Sequence, residues 1–278
     1  MDLIVQGLAL TDREVNEVMR LSGAVSLQPI DDKAVRLDAA AQDRMPAVRA
    51  YCDGAQLDCT CVDAPMSLDR FGLFAMDMDS TLITIECIDE IADMAGVKPE
   101  VAAITAAAMR GEIDFAESLT QRVALLAGLP EGMLARVYEE RLRLSPGAEE
   151  TLARLKAHGI RTLLVSGGFT FFTERLKHRL GLDFTAANTL EVRAGRLTGR
   201  VLGAILDAQG KAQALERVRT ALNLARGQVI AVGDGANDLK MMAVAGVSVA
   251  YHAKPRVREQ ALFAINHVGL DGVVNLFS

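Results

Sequence analysis

Cysteine is scarce: Cys52, Cys59, Cys61 and Cys87 are the only four in 278 residues. No two stand in C-x-x-C spacing, so neither a zinc site nor a disulfide framework is indicated. Four are also too few to staple a chain of this length, and reduced buried thiols in a cytosolic protein fit better. Long apolar runs are missing. None approaches the ~18 residues that a membrane span requires. The N-terminus, Met1-Asp2-Leu3-Ile4-Val5, has no basic segment ahead of an apolar stretch, which argues against a signal peptide. A cytoplasmic location and no membrane partner are expected. There is no excess of basic charge either: 30 Lys+Arg stand against 36 Asp+Glu, a formal net charge of −6. That balance argues against a nucleic-acid partner. It leaves an anionic substrate open, since that needs only a local site. No internal repeat or low-complexity tract is present. With 50% hydrophobic and 24% charged residues, the chain has the composition of a folded globular protein, not of a disordered or fibrous one.

A length of 278 residues predicts one large domain plus a small one, or two medium ones. Residues 1–65 read as a small α+β unit. Leu3–Gln6 is a short strand, and Thr11-Asp12-Arg13-Glu14 signals the N-cap of a helix. Two short β-like runs, Ala24–Pro29 and Ala34–Asp38, flank the turn Asp31-Asp32-Lys33. A second helix over Arg44–Cys52 precedes a strand over Leu57–Val62, whose alternation predicts one buried face. The order βαββαβ predicts a ferredoxin-like sandwich. Ala64-Pro65 punctuates the chain, and residues 66–278 then alternate apolar strands with helices, which predicts a Rossmann-like parallel sheet covered on both faces. The clearest strands are Leu73–Met76, Thr162–Val165, Val229–Val232 and Val247–Ala250. Residues of about 86–145 hold no strand and read as four helices: Ile88–Ala95, Pro99–Met109, Phe115–Ala127 and Met133–Arg143. An all-helical insert of this kind predicts a cap over the sheet edge. The turn Ala194-Gly195-Arg196 predicts a hairpin.

Four features carry chemistry. Asp77-Met78-Asp79-Ser80-Thr81 ends a buried strand, with Asp77 and Asp79 on one side by the two-residue period. Neighbouring carboxylates raise each other's pKa unless a cation or proton relieves them. They suit a hard, oxygen-liganded cation such as Mg²⁺, or a division into nucleophile and proton carrier. Gly233-Asp234-Gly235-Ala236-Asn237-Asp238 follows a second apolar strand and adds two carboxylates where the backbone comes close. Ser166-Gly167-Gly168 ends a third strand, where free N–H groups can cradle a phosphate. Lys211 sits at a helix start, a position that opposes the helix dipole. Each feature alone reads equally as a turn or a solvated charge. Together they fall at the C-terminal ends of parallel strands, where open α/β sheets bind ligands. Carboxylates, a lysine and a hydroxyl-and-glycine cradle at one pole make an inventory for phosphoryl transfer.

In this order the four motifs resemble those of the haloacid-dehalogenase-like phosphatases. Glu86, Ile88-Asp89-Glu90, Met109-Arg110-Gly111, Phe115, Ser118-Leu119, Arg122-Val123 and Tyr251-His252-Ala253-Lys254-Pro255 narrow the resemblance to the phosphoserine phosphatase family. It covers residues 70–278, with no departure at a catalytic position. The resemblance implies hydrolysis of O-phospho-L-serine to serine and phosphate, the last step of serine biosynthesis. Asp77 would be the nucleophile that forms an aspartyl-phosphate, and Asp79 the proton carrier. Mg²⁺ would be held by the carboxylates of Asp77 and Asp234 and the backbone carbonyl of Asp79, with Asp238 supporting from behind. Ser166, Gly167, Lys211 and Asn237 would bind phosphoryl oxygens.

Substrate choice would lie in the cap. Arg122 would grip the substrate carboxylate, Glu86 its ammonium, and Met109 and Phe115 would shield the reaction from water. Without the resemblance, Arg122 and Glu86 would read as a salt bridge or surface charge, and Met109 and Phe115 as core. His158 and His252 are expected to have structural roles. The N-terminal unit resembles ACT-like domains in element order alone, with ligand binding, homodimer formation or simple packing as its roles. Two rival functions differ in kind: transfer of the phosphoryl group to another alcohol such as homoserine, and amino-acid sensing on a dead phosphatase scaffold. Retention of Asp77, Asp79, Lys211 and Asp234 weighs against the second.

Overall fold

The computed structural model describes residues 1–62 and 66–277, so the expected boundary at Ala64-Pro65 lies outside the described residues. The N-terminal unit runs β1 (Asp2–Gln6), α1 (Asp12–Ser22), β2 (Ser26–Pro29), β3 (Ala34–Asp38), α2 (Met45–Ala55) and β4 (Asp58–Val62). Its antiparallel sheet has the order β2-β3-β1-β4, the ferredoxin-like arrangement, and it fits an ACT-like domain. Helix α1 starts where the sequence signals it. Thr11 Oγ1 accepts from Glu14 N at 3.3 Å, and Glu14 Oε2 accepts from Thr11 N at 2.9 Å. Gly23 ends it in the left-handed conformation, at φ 67°.

The expectation of one buried face on the fourth strand needs correction, because β4 is packed on both. Leu3 and Val5 of β1 join Cys59 and Cys61 against α1 and α2. On the other face, Ile4 and Val62 enter the main core of the chain. Asp58 and Thr60 are buried there as well. The alternation marks both faces as internal because a second body covers the one expected to meet water.

That body is a seven-stranded sheet of order β11-β10-β9-β5-β6-β7-β8. Its elements are β5 (Leu73–Met76), α3 (Cys87–Ala95), α4 (Lys98–Met109), α5 (Phe115–Ala124), α6 (Gly132–Arg136), α7 (Ala148–Ala157), β6 (Arg161–Phe169), α8 (Thr170–Leu180), β7 (Phe184–Arg193) and β8 (Arg196–Leu202). There follow α9 (Ala208–Ala221), β9 (Val229–Gly233), α10 (Leu239–Val244), β10 (Val247–Tyr251), α11 (Pro255–Arg258), β11 (Phe263–Ile265) and α12 (Asp271–Asn275). All neighbours pair in parallel except β7 and β8, which form the expected hairpin. Every residue of β5 is buried, as a central parallel strand with helices on both faces requires. Helices α3 to α6 form the insert, and α6 runs on into a π-helical turn at Val137–Arg141. No helix among the described residues is long and apolar enough to cross a membrane.

Candidate active site

Strand pairing puts the motifs at one pole. Met76 lies opposite Leu164 of β6 and Val232 of β9, so the residues after all three strands emerge at the same edge. Asp77 N continues the ladder by donating to Val232 O at 3.0 Å. Lys211 arrives from the first turns of α9, whose start is fixed by Asp207 accepting from Gly210 N at 2.7 Å.

Lys211 is the buried hinge of the charge arrangement, at 1% exposure. Its Nζ lies 2.7 Å from Asp77 Oδ1 and 2.7 Å from Asp238 Oδ1. Asp77 Oδ1 also accepts from Met78 N at 2.8 Å, and Asp238 Oδ2 accepts from Gly235 N at 3.0 Å. Gly233 is obligatory here, since a Cβ would come within 2.5 Å of the Asp238 carboxyl. Asp234 receives Thr81 Oγ1 at 3.3 Å. Burial works to lower the Lys211 pKa, but Asp238 and Asp77 outweigh it and the net shift is upward. Burial, then the Asp238 charge, hold the Asp77 carboxyl well above the usual range, against the pull of Lys211. The same two causes push Asp234 up to about 6.

Carboxylate oxygens of Asp77, Asp234 and Asp238 lie within 4.8 Å of one another. With Asp79 beside them, four acids face one lysine. Such a donor set fits a hard divalent cation. The Asp79 carboxylate is outside the cluster. Its Oδ1 accepts from Cys87 N at 2.9 Å, and its Oδ2 from Ser166 Oγ at 3.3 Å. Burial raises its pKa, against the hydrogen bond from Cys87.

The Ser166-Gly167-Gly168 stretch does not simply end its strand, as the sequence suggests. It bulges inside β6: Val165 faces Ala186, and Phe169 faces Asn188. Gly168 N donates to Ser166 Oγ at 2.8 Å. A Cβ on Gly168 would approach Asp79 Oδ2 to 2.9 Å, so glycine keeps that approach open. Asn188 pins the bulge from behind. Its Nδ2 donates to Gly167 O at 2.8 Å, and its Oδ1 accepts from Leu206 N at 2.7 Å. One side chain therefore ties the glycine bulge to the segment leading into Lys211.

The helical insert roofs the pole and encloses a cavity of about 480 Å³. Asp77, Asp79, Glu86, Met109, Phe115, Arg122, Gly167, Asp234 and Asn237 all line it. Buried Ser166, Lys211 and Asp238 bond directly to the lining residues Asp79, Asp77 and Gly235. Phe115 aims at the cradle, since a Cβ on Gly167 would meet its ring tip at 2.9 Å. Met109 is 69% exposed and forms the rim. Arg122 forms no ion pair among the described residues; its Nε donates to Ser118 O at 3.3 Å. Burial lowers its pKa, while Asp89, Glu86 and Asp79 pull the other way. Glu86 opens onto the cavity and accepts from Ser80 Oγ at 2.8 Å. Burial, then the Asp79 charge, push it up to about 7.

The sequence shows Ser80, Thr81 and Ser118 only as members of motifs, with no role assigned to them, and Asn188 stands in no motif. Only its place within a β-run hints at Asn188. His158 and His252 are structural. The His158 ring meets Asp69 at 2.7 Å, and the His252 ring meets Val268 O at 2.8 Å.

A family model described as haloacid dehalogenase-like hydrolase matches residues 74–243, and one described as a domain of unknown function matches residues 3–50. A phosphoserine phosphatase from Polaromonas sp. is 56% identical over 216 residues, 76% of this chain and 92% of that protein. The chain belongs to the phosphoserine phosphatase family of haloacid dehalogenase-like hydrolases. It is therefore an enzyme of the class acting on phosphoric monoesters. The crystal structure of a probable phosphoserine phosphatase from Vibrio cholerae aligns with a TM-score of 0.86 at 40% identity, over 99% of this chain and 86% of that one. A phosphoserine phosphatase captured as a phospho-aspartyl intermediate analogue aligns with a TM-score of 0.70 at 40% identity, over 75% of this chain and 99% of that one.

Proposed function

We propose that the chain hydrolyses O-phospho-L-serine to L-serine and phosphate through a phosphoryl group carried on Asp77, completing serine biosynthesis in the cytoplasm. The observation that carries this reading is one cavity shared by two chemically different sets of groups. Asp77, Asp79, Lys211 and the Ser166–Gly168 bulge suit a phosphoryl group. Arg122 and Glu86 suit a carboxylate and an ammonium.

Lys211 and Met78 N engage Asp77 Oδ1, which leaves Oδ2 as the attacking atom. Oδ2 attacks phosphorus and the bond from phosphorus to the serine oxygen breaks. Asp79 gives its proton to that oxygen, and serine leaves. The raised Asp79 pKa favours holding that proton. Asp79 then takes a proton from water, the water oxygen attacks phosphorus, and the bond to Asp77 breaks. Lys211, Asn237, Ser166 and the Gly167 N–H hold the non-bridging oxygens through both steps. Carboxylates of Asp77 and Asp234 and the carbonyl of Asp79 would hold Mg²⁺, with Asp238 behind them. When bound, the ion neutralises charge on the transferring group. Phe115 and Met109 exclude water from the first step.

The test is phosphate release from O-phospho-L-serine with and without Mg²⁺, repeated with homoserine present. Mg²⁺-dependent release equal to serine formed is expected. Phosphate falling well below serine when homoserine is added points to transfer instead. Serine bound without turnover returns the sensor reading. The N-terminal unit packs one sheet face against the rest of the chain, and we propose an assembly role for the unit. A homodimer built through it is tested by light scattering.

A further inference from the structure

Ser118 is the one buried hydroxyl in the cavity wall that no role above absorbs. It is 1% exposed, and its Oγ finds no hydrogen-bond partner among the described residues. A buried hydroxyl left unpaired is costly, which makes it a candidate for a ligand. Its position narrows the ligand. Phe115, Ser118 and Arg122 stand three and four residues apart on α5, and so lie along one helix face. All three line the cavity. Phe115 marks the phosphoryl end, by its approach to Gly167. Arg122 stands two turns further along the helix, where Asp89, then Glu86, are the largest opposite charges acting on it. Ser118 lies between them, one turn before Arg122, and its carbonyl already receives the Arg122 Nε. That contact ties the Arg122 side chain to the turn that carries Ser118.

We propose that Ser118 is a specificity residue: its hydroxyl donates to the carboxylate of the substrate, beside the Arg122 guanidinium. The inference rests on the phosphoserine reading above. A hydroxyl built to meet a carboxylate discriminates against a ligand that lacks one, because it is then left unpaired. O-Phosphoethanolamine is such a ligand, as it keeps the phosphoryl group and the ammonium and lacks only the carboxylate.

The experiment uses the full chain with Mg²⁺ and compares wild type, Ser118→Ala and Ser118→Thr. It measures kcat and KM for O-phospho-L-serine and the inhibition constant of O-phosphoethanolamine as a competitor. Alanine is a good helix former, and circular dichroism checks that the fold is kept. Ser118→Ala is expected to raise KM for phosphoserine about five- to tenfold, with kcat within about twofold, since the contact is the same before and during reaction. The inhibition constant of phosphoethanolamine is expected to stay unchanged, and Ser118→Thr, which retains the hydroxyl, to recover KM. Equal weakening of both ligands overturns the carboxylate contact, and so does an unaltered KM. Absence of phosphate release by wild type sinks the substrate reading itself and takes this inference with it, an outcome separate from a wild type that works and a variant that matches it.

Discussion

Asp58 and Asp77 stand at opposite ends of their strands, and both are almost fully buried, at 2% and 4% exposure. Their surroundings differ. Asp58 opens β4 and its two oxygens accept three backbone N–H groups, from Asn266 at 2.7 Å, His267 at 2.9 Å and Val268 at 3.0 Å. It staples the N-terminal sheet to the segment after β11 without another acid in the bond set. Gln6 and Asn275 extend the same seam: Gln6 Nε2 donates to Gly272 O at 3.0 Å and Asn275 Nδ2 to Gln6 Oε1 at 3.2 Å. Asp77 follows β5 and shares a single lysine with Asp238, while Asp79 and Asp234 crowd in. A saturated acid is a structural part. An acid held short of compensation is poised for a cation and for chemistry.

Breaking each acid should separate the two roles. Asp77→Asn is expected to lower kcat for phosphate release at least about a thousandfold, since it removes the nucleophile. Its metal-free thermal midpoint is not expected to fall, because one of the crowded acids is gone. Asp58→Ala should do the reverse. It strands three backbone N–H groups, one buried and two part-buried, and a loss of about 3 kcal/mol in chemical denaturation is expected, with kcat within about twofold of wild type. A catalytic collapse at constant stability in Asp58→Ala would erase the distinction.

Asn188 tests whether the boundary between the roles is sharp. It touches no substrate in the proposed reaction, yet it holds both Gly167 O and Leu206 N. As a positioning residue it should act on the cradle and on Lys211 together. Asn188→Ala is expected to reduce kcat/KM about tenfold to a hundredfold, more through kcat than through KM. A pure stability loss with unchanged turnover would move Asn188 to the structural side.

These residues also show what a sequence can reveal. Asp77, Asp79, Asp234, Ser166 and Gly167 are legible because each follows an apolar strand, and parallel strands deliver their ends to one edge. Lys211 is legible only weakly, as a lysine at the wrong end of a helix. Asn188 and Asp58 are not legible, because their partners lie 18 and 21 residues away for Asn188, and more than 200 for Asp58. No local pattern encodes such contacts. The same reason hides the second buried face of β4. Its polar residues alternate as a solvent face would, and only the seam with the larger sheet shows that they are internal. Ser118 is quoted in the cap motif, but its unpaired state depends on how α5 packs.

The gentlest test concerns Glu86, which lies between the two extremes: one partner in Ser80, an Asp79 charge nearby, and a carboxyl pushed up to about 7. An acid with a raised pKa is protonated below that value and charged above it. Only the charged form pairs with an ammonium. KM for O-phospho-L-serine is therefore expected to fall as pH rises from about 6 to 8, through the range of that raised pKa. The substrate phosphoryl group also titrates near there, so the wild-type profile alone is not decisive. Glu86→Gln cancels that contribution, because glutamine is neutral throughout. The ratio of variant to wild-type KM should be about tenfold at pH 8 and shrink towards one at pH 6. A ratio constant across that range would mean that Glu86 does not change charge in the working enzyme, and that the cation neutralising the acids beside it has drawn its pKa back to that of an ordinary carboxylate.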